Sequence, residues 1–333
     1  MALKKSQLYS SIWKACDQLR GGMDASQYKD YVLVLLFVKY VSDKYAGKKN
    51  AEVIIPEGGS FKDLVKLKGK PNIGEGINVV LSKLAEANGL KGVIDAVDFN
   101  DEDKLGKGKE MQDRLSNLIA IFENPDLDFS RNRAEGDDLL GDAYEYLMKN
   151  FAVESGKSKG QFYTPAEVSR VMAKVIGADK ATSRSQTVYD PTCGSGSLLL
   201  KVAAETPKGI TIYGQELENT TAALAIMNMW LHGQPTAEIR KGQSTLSNPL
   251  FLNPDGSLKT FDFVVANPPF SYKAWRNGFD PEHDKYERFT GFGIPPAKNG
   301  DFAFLLHIVR SMKSTAKGLS LIHISEPTRL GMI

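Results

Sequence analysis

The sequence predicts an α-helical N-terminal domain over residues 1–150 followed by an α/β domain over residues 151–318, on three observations. Helical spacing dominates the first 150 residues, and no strand pattern of comparable strength appears before residue 186. Beyond it, short apolar runs alternate with helical stretches, the pattern of a mostly parallel sheet. The first of these runs feeds a glycine-rich turn and the last ends in two prolines, so both mark the edge of a sheet.

Leu8, Ile12, Trp13, Cys16 and Leu19 recur three or four residues apart and predict a first helix, which Gly21-Gly22 ends. A second starts with Asp24 or Ser26 as N-cap and runs through Tyr31, Leu35, Val38 and Ser42 to Tyr45. Its apolar run, Val32 to Val38, falls far short of the roughly 20 residues that span a bilayer, so it reads as a core helix and no membrane segment is expected. Residues 46–75 are rich in Gly, Lys and Pro and predict loops with a short helix at Phe61 to Leu67. Helical patterns follow at Gly76 to Ala87, Lys109 to Phe122 and Leu139 to Phe151, while the charged stretch Asn100 to Lys109 reads as a solvated loop.

The chain has 333 residues, enough for two domains, and 42% hydrophobic content supports ordinary cores. Lys and Arg number 42 against 40 Asp and Glu, so any contact with nucleic acid must come from local patches or a partner subunit. Cys16 and Cys193 form neither a disulfide framework nor a zinc spacing, so no metal site is expected. The N-terminus lacks an apolar leader, and a reducing cytoplasm is the simple inference.

A polar linker, Glu154 to Lys159, precedes Gly160-Gln161-Phe162-Tyr163-Thr164-Pro165. Thr164 is placed as N-cap, Pro165 at the first helical position and Glu167 in the first turn, with the helix continuing through Val168, Val171, Met172 and Val175. Thr187-Val188-Tyr189 is then a short strand, followed by Asp190-Pro191-Thr192-Cys193-Gly194-Ser195-Gly196-Ser197 and an apolar helix from Leu198 to Ala204. Gly194 and Gly196 let the backbone turn sharply and approach a ligand. The turn lacks the Gly-Lys-Ser/Thr of a P-loop and, with Leu199, the third glycine of the dinucleotide fingerprint.

Ile210 to Tyr213 is the next strand, and Glu216 beyond it stands roughly 20 positions after the glycine turn, where an acid binds a ribose diol. A helix from Thr220 to His232 and a strand at Ala237 to Ile239 lead to Gly242-Gln243-Ser244-Thr245, a polar turn placed to flank the ligand's base. Phe261 to Ala266 is a strand buried on both faces, ended by Asn267-Pro268-Pro269-Phe270. An Asn oxygen and a prolyl carbonyl there suit the two hydrogens of an exocyclic amine, and the ring suits a planar base. The same four residues also fit a strand ended by a tight turn, with Phe270 returning to the core.

Taken together, these motifs resemble the S-adenosylmethionine-dependent amino-methyltransferases, and within them the adenine-N6 DNA methyltransferase (modification) subunits of type I restriction-modification systems. Asp190-Pro191-x-Cys193-Gly194-x-Gly196, with Asn267-Pro268-Pro269-Phe270 about 75 residues later, carries the first resemblance. Gly160 to Pro165 behind a helical N-terminal domain carries the second. The resemblance implies a Rossmann-like methyltransferase fold and S-adenosylmethionine as cofactor. Gln161, Phe162, Tyr163, Thr164 and Pro165 would lie at the cofactor, the last four bordering its methionine end. Asp190, Thr192, Gly194, Ser195 and Gly196 would wrap that end, and Glu216 would hold the ribose hydroxyls. Many relatives carry Asp at the third site where this chain has Gln243-Ser244, which leaves open which of the two bonds the cofactor's exocyclic amine. Asn267, Pro268, Pro269 and Phe270 would hold the flipped adenine.

Implied partners are duplex DNA, a specificity subunit, a second copy of the modification subunit and a restriction (nuclease and translocase) subunit. Methylation of a protein glutamine or an RNA base by the same Asn-Pro-Pro-aromatic chemistry is the alternative activity, and an inactive truncated fragment is the alternative from another class. Cys193 sits in the cofactor loop without a neighbouring Pro-Cys pair, which argues against a nucleophilic role. Ser271 to Gly300 is a long aromatic segment expected against DNA, with Lys273, Arg276, Lys285, Arg288 and Lys298 as candidate phosphate contacts. Asp301 to Met312 opens with a helix, and the family's next strand is expected after Lys317-Gly318. Residues 319–333 instead resemble the translation of a sequencing-library adapter and are expected to be a non-native tail, with no function assigned to His323.

Overall fold

Helices alone occupy the described residues before 187, and five parallel strands follow. The computed structural model describes residues 12–13, 25–127, 144–148 and 164–322. The chain divides into one unit of residues 1–157 with 226–235 and a second of residues 158–225 with 236–333. The helix expected before Gly21 and the linker Glu154 to Lys159 lie largely outside the described residues, as do residues 323–333. No helix among the described residues is long and apolar enough to cross a membrane.

The first unit contains α1 (Ala25–Tyr45), α2 (Phe61–Val65), α3 (Ile73–Asn88), α4 (Glu102–Leu105) and α5 (Lys109–Phe122). Val32 to Phe37 in α1 are each no more than 1% exposed, as expected of a helix that is apolar on every side. A capping box starts α2: the Ser60 hydroxyl accepts the Asp63 N–H and the Asp63 carboxylate accepts the Ser60 N–H. Tyr31 packs edge-on against Phe99 at 5.0 Å and donates its hydroxyl to the Asp98 carbonyl. The stretch expected as a solvated loop, Asn100 to Lys109, contains α4. Asp101 makes the turn, because its carboxylate accepts the N–H groups of Asp103 and Lys104. Of the helix expected over Leu139 to Phe151, residues 144–148 are described and are helical.

The second unit contains α6 (Ala166–Val175), β1 (Thr187–Asp190), α7 (Ser197–Ala204) and β2 (Thr211–Glu216), and α8 (Asn219–Leu231) starts in it. Next come β3 (Glu238–Lys241), β4 (Phe261–Ala266), α9 (Asp301–Arg310) and β5 (Met312–Ser320). The strand order is β3-β2-β1-β4-β5, with every pairing parallel. β4 is buried along almost its whole length, and its Phe261 stacks on Tyr189 of β1 at 4.4 Å. Phe251, Val264, Ala266 and Ile308 close the same core.

Two further local expectations fail. Thr164 is not the N-cap of α6: the cap is Pro165, with no side-chain hydrogen bond, and helical structure starts at Ala166. β5 begins at Met312 instead of after Gly318, and the preceding helix ends at Arg310. Lys313 to Lys317 show no apolar alternation, so the strand is made by its ladder with β4, where Phe263 pairs with Lys317 and Ala266 with Ser320. The ladder continues one bond further, from the Leu321 N–H to the Ala266 carbonyl, beyond the boundary expected at residue 318.

Candidate active site

β1 lies between β2 and β4, and the chain leaves it toward opposite edges of the sheet, which opens a crevice at the carboxyl ends of the strands. A cavity of about 260 Å³ occupies that edge. Pro191 and Thr192 reach it from β1, Glu216 to Glu218 from β2, and Ser244 and Thr245 from the turn after β3. Asn267 and Pro269 reach it from β4, and Tyr272 and Phe304 add two aromatic walls.

The glycine turn is held from inside. Asp190 is buried, and its Oδ1 accepts the Thr192 N–H at 2.9 Å, while the Cys193 N–H donates to the Gln215 carbonyl at 3.0 Å. Gly194 has φ 54° and donates its N–H to Glu216 Oε2 at 3.0 Å, a backbone conformation that a Cβ would strain. Gly196, at φ 78°, caps α7, and the buried Ser195 hydroxyl pairs with that of Ser197 at 3.0 Å. On β2, a Cβ at Gly214 would meet Cys193 Sγ at 3.0 Å, so the bare backbone there lets the turn sit down on the sheet.

Glu216 accepts two backbone N–H groups, that of Gly194 on Oε2 and that of Glu218 on Oε1 at 3.0 Å. Burial pushes its carboxyl above the usual range. Burial also pushes Asp190 up to about 7; the Thr192 N–H opposes that shift and the Glu216 charge adds to it. The Cys193 thiol is raised well above its ordinary value by burial and by both carboxylates, which suppresses the thiolate a nucleophile requires.

The Gln243-Ser244 turn is divided between two surroundings. Ser244 lines the cavity, whereas Gln243 is exposed and its Oε1 accepts the Asn248 side-chain amide at 3.1 Å. Gln215, fully buried on β2, organises this turn: it donates to the carbonyls of Gln243 and Asn248, each at 3.1 Å, and accepts the Leu250 N–H at 2.9 Å. The Thr245 hydroxyl donates to the Pro191 carbonyl at 2.5 Å, joining this turn to the glycine turn.

Of the proline-ended tetrad, Asn267 and Pro269 line the cavity, Pro268 is buried, and Phe270 is 42% exposed rather than returned to the core. Asn267 Nδ2 donates to Thr164 Oγ1 at 3.1 Å, so the threonine that fails to cap α6 anchors this amide instead. Pro165 is exposed, and Gln161, Phe162 and Tyr163 lie outside the described residues.

Segment 271–300 is folded around Trp275, Phe279 and Phe289, which pack with Leu246 and Phe304. Arg288 is not a phosphate contact. Its side chain is 1% exposed, forks onto both oxygens of Asp284 at 2.9 and 2.7 Å, and donates to the Leu246 carbonyl at 2.7 Å. Arg276 is partly buried and donates to the Pro295 carbonyl, while Lys273, Lys285 and Lys298 are exposed. Thr245 lines the cavity with Ser244, from the polar turn expected to flank the ligand, whereas sequence reasoning missed Leu217, Glu218, Tyr272 and Phe304 as cavity residues. Tyr272, two positions after the tetrad, carried a signal in its spacing; Phe304 carried none, because only the tertiary fold brings α9 to this edge.

The model of the N-6 DNA Methylase family matches residues 135–322, more than half of the chain, and that of the HsdM N-terminal domain matches residues 8–122. The chain is 29% identical to the type I restriction enzyme MpnII methylase subunit of Mycoplasma pneumoniae, over 91% of this chain and 65% of that one. It is 28% identical to the EcoKI methylase subunit of Escherichia coli, over 93% and 57%. Among solved structures, the methyltransferase subunit of a type I restriction-modification system from Streptococcus thermophilus superposes with a TM-score of 0.77 at 27% identity, over 96% of this chain and 75% of that one. The chain spans 54 to 65% of the length of the first three curated relatives. With the helical region, the parallel sheet and the motif order all in agreement, the chain belongs to the N-6 DNA methylase family.

Proposed function

We propose that this chain is the catalytic part of a type I modification subunit that transfers a methyl group from S-adenosylmethionine to the N6 amino group of adenine in duplex DNA. The observation that carries this reading is that Asn267 and Pro269 line the same cavity as Thr192 and Glu216. Base-holding and cofactor-holding motifs thus share one space.

The residues fit the cofactor. Asp190, buried, and Glu216, half-buried, are both pushed upward in pKa by desolvation, and a cofactor that brings a sulfonium and an ammonium would favour their ionised forms. Leu217, Pro269, Tyr272 and Phe304 offer apolar and aromatic surface for a purine. Thr192, the Gly194 turn and Glu216 would hold it. When bound, S-adenosylmethionine supplies a methyl group on a sulfonium leaving group.

The chain's own groups then act on the base. The adenine amino lone pair is delocalised into the ring and is a poor nucleophile. Acceptance of its hydrogens by Asn267 and the Pro268 carbonyl localises that pair and stabilises the positive charge that develops on nitrogen. No strong general base is required. The target must leave the duplex, and Phe270, which follows the cavity-lining Pro269 in sequence and is 42% exposed, offers a stacking face that offsets lost base stacking.

As a type I subunit it would assemble with a specificity subunit, a second modification subunit and a restriction subunit, in the cytoplasm. The test is transfer of a labelled methyl group to duplex DNA by the complete subunit with its specificity partner. Asn267→Ala is expected to abolish transfer with cofactor affinity nearly unchanged; label appearing on RNA or protein but not on DNA would overturn the substrate.

A further inference from the structure

Phe270 is followed by a strained residue. Ser271 has φ 52°, a left-handed conformation that is unfavourable for a non-glycine residue and persists only where its surroundings enforce it. Its N–H donates to Asp301 Oδ1 at 2.6 Å. Asp301 is 4% exposed, stands at the first position of α9, and has its second oxygen, Oδ2, buried with no hydrogen-bond partner among the described residues. A carboxylate in the first turn is favoured by the helix dipole, which keeps this oxygen pair in place.

The same bond closes the neck of segment 271–300. Beside it the Gly300 N–H donates to the Tyr272 carbonyl at 3.1 Å, so two adjacent residues on each side are tied. The approach is close: a Cβ on Gly300 would lie 2.7 Å from Trp275 Cβ. From Asn267 to Ser271 the backbone has N–H groups only at Asn267, Phe270 and Ser271, because Pro268 and Pro269 have none. The path of this short stretch therefore depends on the few donors it retains, and Ser271 spends its donor on Asp301.

We propose that Asp301 is a positioning residue for the target base: through the Ser271 N–H it fixes the turn that presents Phe270 outward beside Asn267. The inference rests on the base-methylation reading of the cavity. Asp301 touches neither base nor cofactor in this role; it sets where the stacking ring stands.

Three variants of the complete subunit, assembled with its partners, test it by methyl transfer and by 2-aminopurine fluorescence at the target position. Asp301→Ala is expected to lower kcat and the flipped-base fluorescence together, by about ten- to a hundredfold in kcat, the scale of an ångström-level misplacement, with cofactor Kd within about threefold. Asp301→Asn, which keeps an acceptor oxygen, is expected to retain most of the activity. Adding Ser271→Gly to Asp301→Ala is expected to recover much of the loss, because glycine adopts φ near +50° without help. Wild-type kcat in Asp301→Ala, equal losses of cofactor affinity and kcat, or no recovery in the double variant would each overturn the proposal. Absence of DNA methylation by the wild-type assembly would instead overturn the reading beneath it, and the proposal with it.

Discussion

The side-chain amide of Asn267 donates to the hydroxyl of Thr164 at 3.1 Å, across 103 residues of sequence. One residue follows β4 and the other precedes α6, so the bond ties the start of the second unit to its proposed base-holding motif. It orients the Asn267 amide before any substrate arrives, which is the kind of preorganisation that transition-state stabilisation requires.

Thr164→Val removes that partner while preserving shape. A single intramolecular hydrogen bond contributes about 0.5–1.5 kcal/mol, so kcat is expected to fall roughly three- to tenfold. Thr164→Ser, which keeps the hydroxyl, is expected to restore it. Single-turnover methylation of both variants checks this, and equal rates for Val and Ser would sink it.

Cofactor binding is expected to depend on pH through Asp190 and Glu216. Both carboxyls have folded-state pKa values raised above their unfolded ones, Asp190 to about 7. Their contribution to the stability of the ligand-free fold is therefore fully present below the unfolded carboxylate range and is lost as pH rises through the folded values. A cationic cofactor favours the ionised forms, so its affinity is expected to strengthen as pH rises through about 7, with protons released on binding. Calorimetry in two buffers of different ionisation enthalpy measures that release; identical heats at pH 6.5 would show that neither group is coupled to the ligand.

Gln215→Met leaves the carbonyls of Gln243 and Asn248 and the Leu250 N–H without the amide that now serves all three. Orphaning a buried polar group costs about 1–3 kcal/mol, so a loss of at least about 2 kcal/mol in unfolding free energy is expected. Chemical denaturation measures it, and cofactor affinity should weaken alongside because the turn carries Ser244 and Thr245 into the cavity.

Arg288→Met strands the Asp284 carboxylate, whose side chain is 5% exposed. Breaking a buried pair from one side costs about 3–5 kcal/mol, whereas removing both charges is far milder. The double variant Asp284→Leu with Arg288→Met is accordingly expected to be more stable than Arg288→Met alone. Neither change should alter the salt dependence of DNA binding, which surface cations set; a reduced slope would return Arg288 to the DNA-facing role that its sequence position implied.

The sequence by itself determined the helical first half, β1 with its glycine turn, Glu216 at the end of β2, and a buried strand followed by Asn267-Pro268-Pro269-Phe270. Those features are written in local period and turn chemistry, where glycine, proline and β-branched residues leave few backbone options. Tertiary structure alone decided the rest. β5 is a strand because β4 pairs with it, although Lys313 to Lys317 lack any apolar alternation. Arg288 is a buried clamp because Asp284 and the turn after β3 meet it, although in sequence it looks like any surface cation. Thr164 serves Asn267 and Asp301 serves Ser271 for the same reason. A side chain's partner 30 or 100 residues away is set by packing, which no local pattern encodes.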